Sequence, residues 1–309
     1  MERRFYQKNG YAIKMISRDF LLLENGARIP AIDEYTSRLS VSRWVIQTAL
    51  NFLEENQCVY YEKRGVLGTF VYHLNQDKLW EYAELKPLHG LLPFPSSKLM
   101  EGLLTGLNEA FREKSAPVMT TYLPSSGARF NCLEKGECHF IVTTRLAAQH
   151  VIQQNSSLQI ATEIPGAQYC KPYQLISKTK EIGELKKGMV IGVHGDSIEQ
   201  NILSEILTQD KEITVKVGSY HEQMRMFQAG EINFYLYRSE TELPFLPDEM
   251  GNIISLDYLG LDEDLTTPVI VVKQNSSDMK TIIQHFFDVS GVAEIQKEVV
   301  SGNIPVKYL

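Results

Sequence analysis

At 309 residues, with 43% apolar and 22% charged residues, the chain is long enough for two domains with cores of their own and too apolar to read as disordered. Its opening stretch, MERRFYQKNGYAIKM, lacks the apolar run and small-residue cleavage site of a secretory leader, and no run approaches the roughly 18 apolar residues of a membrane span. A cytoplasmic protein with no membrane partner is expected, and its net charge of −7 is uneven: +2 over residues 1–75 (10 Lys/Arg, 8 Asp/Glu) against −9 over residues 76–309 (21 and 30), which leaves the N-terminal segment as the part suited to a polyanion.

In chain order, QKNGYAIKMISRDFLLLENG places Ile13, Ile16, Phe20 and Leu23 on one helical face and stops at Asn25-Gly26. IPAIDEYTSRLS follows as a short second helix, entered at Pro30 and buried along Ile32, Tyr35 and Leu39, with Ser40 and Val41 in a tight turn. Ser42 can cap a third helix whose Ile46, Ala49, Leu50 and Leu53 face inward, leaving Arg43, Trp44, Gln47 and Asn51 outside. CVYYEKRGVLGTFVYH then alternates around a glycine-bearing turn, as a two-stranded hairpin does. Three helices and a hairpin make a winged helix-turn-helix.

Over residues 10–73 this stretch resembles the winged-helix domain of GntR-type transcription regulators. Gly26-Ala27-Arg28-Ile29-Pro30 is similar to the family's GxRLP pattern, Glu34 and Leu39 fall where its second helix has them, and VSRWVIQTALNFLEENQCVYYEKRG with GTFV follows its recognition helix and wing. The resemblance implies contact with double-stranded DNA through Arg28, Arg43 and the wing at Arg64 and Gly65. With the third helix in a major groove, Arg43 and Gln47 would face bases beside Trp44, while Ser42 and the helix N-terminus would meet phosphate. Val45 stands where the family usually has threonine, Gln47 where it commonly has arginine, and the wing is one residue longer. Glutamine pairs with adenine where arginine prefers guanine, so the second departure changes the base read more than it removes binding.

NQDKLWEYAELKP is polar and closes at Pro87, and residues 76–87 read as a linker that could carry a helix packing through Leu79, Tyr82 and Leu85. From residue 88 short apolar runs alternate with helical patterns, as in a parallel α/β sheet. An internal repeat supports this: LPSSGARFNCLEKGECHFIV (123–142) aligns without gaps to VGSYHEQMRMFQAGEINFYL (217–236), sharing Ser125/Ser219, Gly136/Gly230, Glu137/Glu231 and Phe140/Phe234. A strand and helix precede each copy, with Ser97 and Ser197 at equivalent helix starts, and LQIATEIPG and TTPVIVVKQN join the halves as extended crossovers. Residues 88–309 therefore resemble the type 2 periplasmic-binding-protein fold, two lobes about a cleft. The order of the two domains resembles the YhfZ-type group of regulators.

The fold class expected is thus α/β overall: a winged helix-turn-helix over 1–75, a linker over 76–87 and a two-lobed effector domain over 88–309. In its cleft a ligand would face helix N-termini, which favour anions. The candidates are Ser96, Ser97, Ser125, Ser126, Gly127, Asp196, Ser197, Ser219 and Tyr220, with Arg129 and Arg145 as clamps for a carboxylate or phosphate. A serine at a helix start is by itself a cap, and only the repetition around one cleft favours a site.

Cys58, Cys132, Cys138 and Cys170 are too scattered for a disulfide framework, and Cys132, Cys138 and His139 lack a CxxC pair, so burial explains them better than zinc. No GxSxG, P-loop, GxGxxG or HExxH occurs, and VHGDS (193–197) reads as a tight turn or cleft lining, so neither a catalytic residue nor a cofactor is expected. The sequence reads as a dimeric regulator that closes on a small molecule and so changes the separation of two winged helices. The other reading is a ligand sensor whose winged helix recruits a protein partner.

Overall fold

The chain opens with the helices and hairpin that its periodicity requires, in a computed structural model that describes residues 8–113, 116–177, 185–238, 252–274 and 277–307. Two units emerge, Met1–Leu88 with Pro117–Met119 and His89–Ala116 with Thr120–Leu309. In the first, α1 (Lys8–Leu21), α2 (Ile32–Leu39) and α3 (Arg43–Glu55) precede the antiparallel pair β1 (Val59–Lys63) and β2 (Thr69–Leu74), which a single 3-10 turn joins at Gly65–Leu67. Ala12, Ile16, Phe20 and Leu21 of α1 meet Tyr35, Leu39, Ile46, Ala49 and Leu53 in the core. Ile13, Leu23 and Ile32, expected there, are only half-buried. Residues 26–29 add a short third pairing to the hairpin, through Gly26 N–H to Val71 O (2.7 Å) and Ile29 N–H to Thr69 O (3.0 Å).

Residues 76–87, expected to be a linker that could carry a packing helix, do carry one, α4 (Gln76–Tyr82). Asn75 caps it, and Leu79, Trp80, Ala83 and Leu85 are buried. The Arg18 guanidinium of α1 donates to Ala83 O at 3.1 Å, and Tyr82 meets the Phe52 ring edge-on at 5.3 Å. Tryptophan and three aliphatic side chains bury too much apolar surface for a free connector.

The second unit has two lobes. The first contains β3 (Leu88–Leu92), α5 (Lys98–Glu113), β4 (Val118–Tyr122), α6 (Ser126–Lys135), β5 (Phe140–Thr144), α7 (Arg145–Gln154) and β6 (Leu158–Glu163). The second holds β7 (Tyr173–Ser177), β8 (Val190–His194), α8 (Ile198–Thr208), β9 (Thr214–Gly218), α9 (Tyr220–Ala229), β10 (Phe234–Arg238), β11 (Ile253–Ser255) and α10 (Asp262–Thr266). β12 (Pro268–Lys273), α11 (Ser277–Phe286) and α12 (Val292–Val300) then return to the first lobe. The sheet orders are β4-β3-β5-β12-β6 and β9-β8-β10-β7-β11.

These sheets are mixed where parallel ones were expected. β3 pairs parallel with β5, and β9, β8 and β10 run parallel, but β12 is antiparallel to both its neighbours, as is β7. β12 and β7 thus hold the same place, fourth in each sheet order. The internal repeat holds in three dimensions as well: Ser125 and Ser219 cap α6 and α9, Gly136 (φ 78°) and Gly230 (φ 74°) end them in the left-handed region, and Phe140 and Phe234 enter β5 and β10 fully buried.

α12 lies close against α5 because α5 has no side chain at two positions. A Cβ on Gly102 would stand 2.8 Å from Gln296 O, and one on Gly106 2.8 Å from Val292 O. The buried Gln296 amide is satisfied, donating to Leu99 O (2.9 Å) and Gln168 O (2.7 Å) and accepting from Gln168 N–H (2.8 Å). Among the described residues no helix is long and apolar enough to cross a membrane. Gly106→Val should lower the urea midpoint of the intact chain by the equivalent of about 1–3 kcal/mol, since the helices must separate to admit it; an unchanged midpoint would contradict this packing.

Candidate functional site

Two places gather the residues singled out from the sequence. In the winged helix, α2 ends at Ser40 in the left-handed region (φ 51°), and Ser42 caps α3 by accepting from Val45 N–H at 3.3 Å. Val45, Ile46, Ala49, Leu50 and Leu53 turn inward, which makes the threonine-to-valine departure a core residue. Arg43, Trp44, Gln47 and Asn51 face out, with Trp44 69% exposed and Gln47 donating to Asn51 Oδ1 at 3.2 Å. Arg43 reaches Asp33 of α2 at 2.5 Å, and both side chains are exposed. Such a pair contributes little, so phosphate can replace the carboxylate at small cost.

The wing collects the other two arginines. Arg64 donates to Glu62 at 2.7 Å, holding that carboxyl below the usual carboxylate range, and its guanidinium lies over Phe70 at 4.6 Å. Arg28 pairs through its backbone with Phe70, and its side chain rests where a Cβ on Gly68 (φ 100°) would stand 2.7 Å from Nε. Gly68 is therefore required for its backbone angle, and a side chain there would displace the exposed Arg28 guanidinium. Gly65 (φ 57°) starts the turn that carries the exposed Val66 and Leu67.

In the second unit the N-termini of α6, α7 and α8 converge where the lobes meet. The Ser125 hydroxyl and Gly127 N–H both donate to Asp196 O, at 2.8 and 3.1 Å. Ser126 Oγ accepts from Ile198 N–H at 3.1 Å and donates to Glu199 Oε2 at 2.8 Å. Thr144, the cap of α7, donates to Glu199 Oε1 at 3.0 Å, and Ser197, the cap of α8, donates to Oε2 at 3.2 Å. VHGDS is the turn that leads β8 into this junction. Beside it a concavity of about 400 Å³ is lined by Phe130, Asn131 and Val151 of the first lobe and Ile198, Ile202 and Glu205 of the second.

Ser125, Ser126, Gly127, Asp196 and Ser197 are thus brought together, and no hydrogen bond joins Ser96, Ser97, Ser219 or Tyr220 to them among the described residues. Ser97 caps α5 through Met100 N–H (3.2 Å), and Ser96 N–H donates to Phe94 O (2.8 Å). Ser219 caps α9 in a reciprocal box with Glu222, whose carboxyl the Ser219 N–H holds below its usual range, and Tyr220 is exposed. Both proposed clamps are engaged by the protein itself. Arg129, fully buried, donates to Leu123 O (2.5 Å), Pro124 O (3.0 Å) and the Tyr169 hydroxyl (2.7 Å), and burial pushes that phenol up to about 12. Arg145 is held by Glu263 (2.8 Å), Asp264 (2.5 Å) and Glu163 (3.3 Å), which raises its already high pKa further. Burial pushes the Cys138 thiol up to about 12, as suits a core cysteine.

Residues 75–308 match the family of the YhfZ C-terminal domain, and residues 24–71 match a helix-turn-helix domain. The chain belongs to the YhfZ C-terminal domain family. YhfZ of Escherichia coli (strain K12) is 25% identical over 315 residues, covering 100% of both chains. The crystal structure of YhfZ from Shigella flexneri, 25% identical, superposes with a TM-score of 0.63 over 75% of this chain and 97% of that one. The periplasmic VFT2 domain of Bordetella pertussis BvgS, 10% identical, shares the fold at a TM-score of 0.50 over 74% and 97%. In this YhfZ-type chain, then, a helix-turn-helix precedes a domain of the periplasmic-binding-protein fold.

The residues that the sequence reading missed are Glu199, Thr144 and Tyr169. An acidic residue in the first turn of a helix was the available signal for Glu199, but nothing local marks the hydroxyls that reach it from another lobe. Arg129→Met should destabilise the second unit by at least about 2 kcal/mol, because two carbonyls and a phenol lose their donor in a buried place. Thermal or urea unfolding measures this, and wild-type stability in the variant would show that these groups find other partners.

Proposed function

We propose that the protein is a cytoplasmic, ligand-responsive transcription regulator that binds palindromic double-stranded DNA as a homodimer. The observation that carries this reading is the outward face of α3, Arg43, Trp44, Gln47 and Asn51, set in a helix-turn-helix whose wing presents Arg28, Arg64 and Gly65. It is joined in one chain to a two-lobed domain of the type that binds small molecules. Arg43 and Gln47 read bases, Ser42 and the α3 N-terminus hold phosphate, and the wing arginines follow the adjacent backbone. Paired domains suit a symmetric operator, since a single winged helix has a short half-site.

The effector of this reading is a small molecule bound in the cleft between the lobes. Its binding to one arrangement of the lobes in preference to the other changes the affinity for DNA. The role is one of binding, with no reaction catalysed. The exposure of Trp44, Val66 and Leu67 favours a second reading, in which the winged helix docks on a protein partner.

Selection from a random duplex library at two salt concentrations tests the regulator reading. Wild type should recover a palindrome, and Arg43→Ala should weaken its binding by about 1–3 kcal/mol and lower the slope of log affinity against log salt by about 1. No enrichment at either salt, with or without a metabolite mixture, would favour the protein-docking reading.

A further inference from the structure

Resting on the reading of the second unit as an effector domain, we infer that Glu199 is a latch between the two lobes. It is a carboxylate of the chain itself, and it occupies the place where the helix N-termini of both lobes meet. Glu199 belongs to α8 in the second lobe, yet two of its three hydroxyl donors, Ser126 of α6 and Thr144 at the cap of α7, belong to the first. The side chain is 4% exposed, and among the described residues it has no lysine, arginine or histidine within ion-pairing distance. A buried carboxylate without a cation is unfavourable unless its oxygens are hydrogen-bonded and lie in a positive potential. Here both conditions are met by elements of the first lobe: two hydroxyl donors, and two helix N-termini whose dipoles favour negative charge.

The arrangement is reciprocal. Ser126 Oγ donates to the carboxylate and accepts from Ile198 N–H, the first residue of α8, so one hydroxyl ties α6 to both the backbone and the side chain of the opposite lobe. Ser125 and Gly127 add two bonds to Asp196 O, so the end of α6 and the turn before α8 are held by backbone as well as side chain. Parting the lobes strips Glu199 of its first-lobe donors at one step, and water then solvates all of them. The contact is accordingly two-state: made in full when the lobes meet and absent when they part. An effector acts on this domain by breaking the latch or by binding the parted arrangement, and the lobes need no ligand to stay together.

The test uses the full chain with spin labels at Lys135→Cys, the last residue of α6, and Lys211→Cys, past the far end of α8. A Cys132→Ser background removes the one cysteine that is not buried. Wild type at Glu199 should give one narrow distance, and Glu199→Ala should shift it to longer values and broaden it. Ser126→Ala with Thr144→Val, which removes the donors and keeps the carboxylate, should give the same shift, and it decides the matter if Glu199→Ala does not fold. An unchanged distance in a folded variant overturns the latch. The regulator reading is tested separately with the same proteins: a distance that lengthens in a chain with no affinity for any duplex sinks that reading and leaves the latch standing, whereas operator binding with an unchanged distance does the reverse.

Discussion

The second unit depends on one strand. β12 runs between β5 and β6 with Val269, Ile270, Val271 and Val272 wholly buried, so the first sheet is incomplete until residues 268–273 arrive. Everything from the end of β6 to that point, which is the whole second lobe, is inserted between neighbouring strands of the first. The lobes are therefore two sheets built by one chain that must leave the first, make the second and return. Pairing across so long an insertion carries a loop-closure cost before any contact offsets it, and the uninterrupted aliphatic run PVIVV supplies the burial that makes the return favourable.

That return also sets what the site can be. With only two crossovers joining them, the lobes can move relative to one another, and the contacts at their junction decide how they rest. Beside Ile198 packed on the first-lobe core and Leu146 on the second, the contacts are polar and belong to helix starts, where free N–H groups need acceptors in any case. Asp196 O and the Glu199 carboxylate fill that need from across the junction. Arg129 and Arg145, which a reading by residue type makes clamps for a ligand, are occupied in holding the first-lobe loop before α6 and the acidic α10.

The features with a fixed local period were legible. The capping serines, the left-handed glycines and the 94-residue spacing of the repeat appear in the sequence because each is a local requirement of a helix end. The helix-turn-helix was legible for the same reason, down to the inward stripe of α3. Three things were not. The strand direction of β12 depends on its arriving between β5 and β6 from the second lobe, which no local pattern records. The segment 76–87 is polar enough to read as a linker, and only the partners of Leu79, Trp80 and Leu85 in α1 and its neighbours make it core. Glu199 lies 73 residues from Ser126 and 55 from Thr144, so its role exists only in the folded chain.

In the proposed regulator the resting state of the lobes and the affinity of the winged helix for DNA are coupled. The most direct measurement is the equilibrium affinity of the intact protein for its selected duplex, by fluorescence anisotropy at fixed salt, for wild type and for Glu199→Ala. Coupling of the usual size predicts affinities that differ by about fivefold or more. Equal affinities in two folded proteins whose lobes rest differently would contradict it.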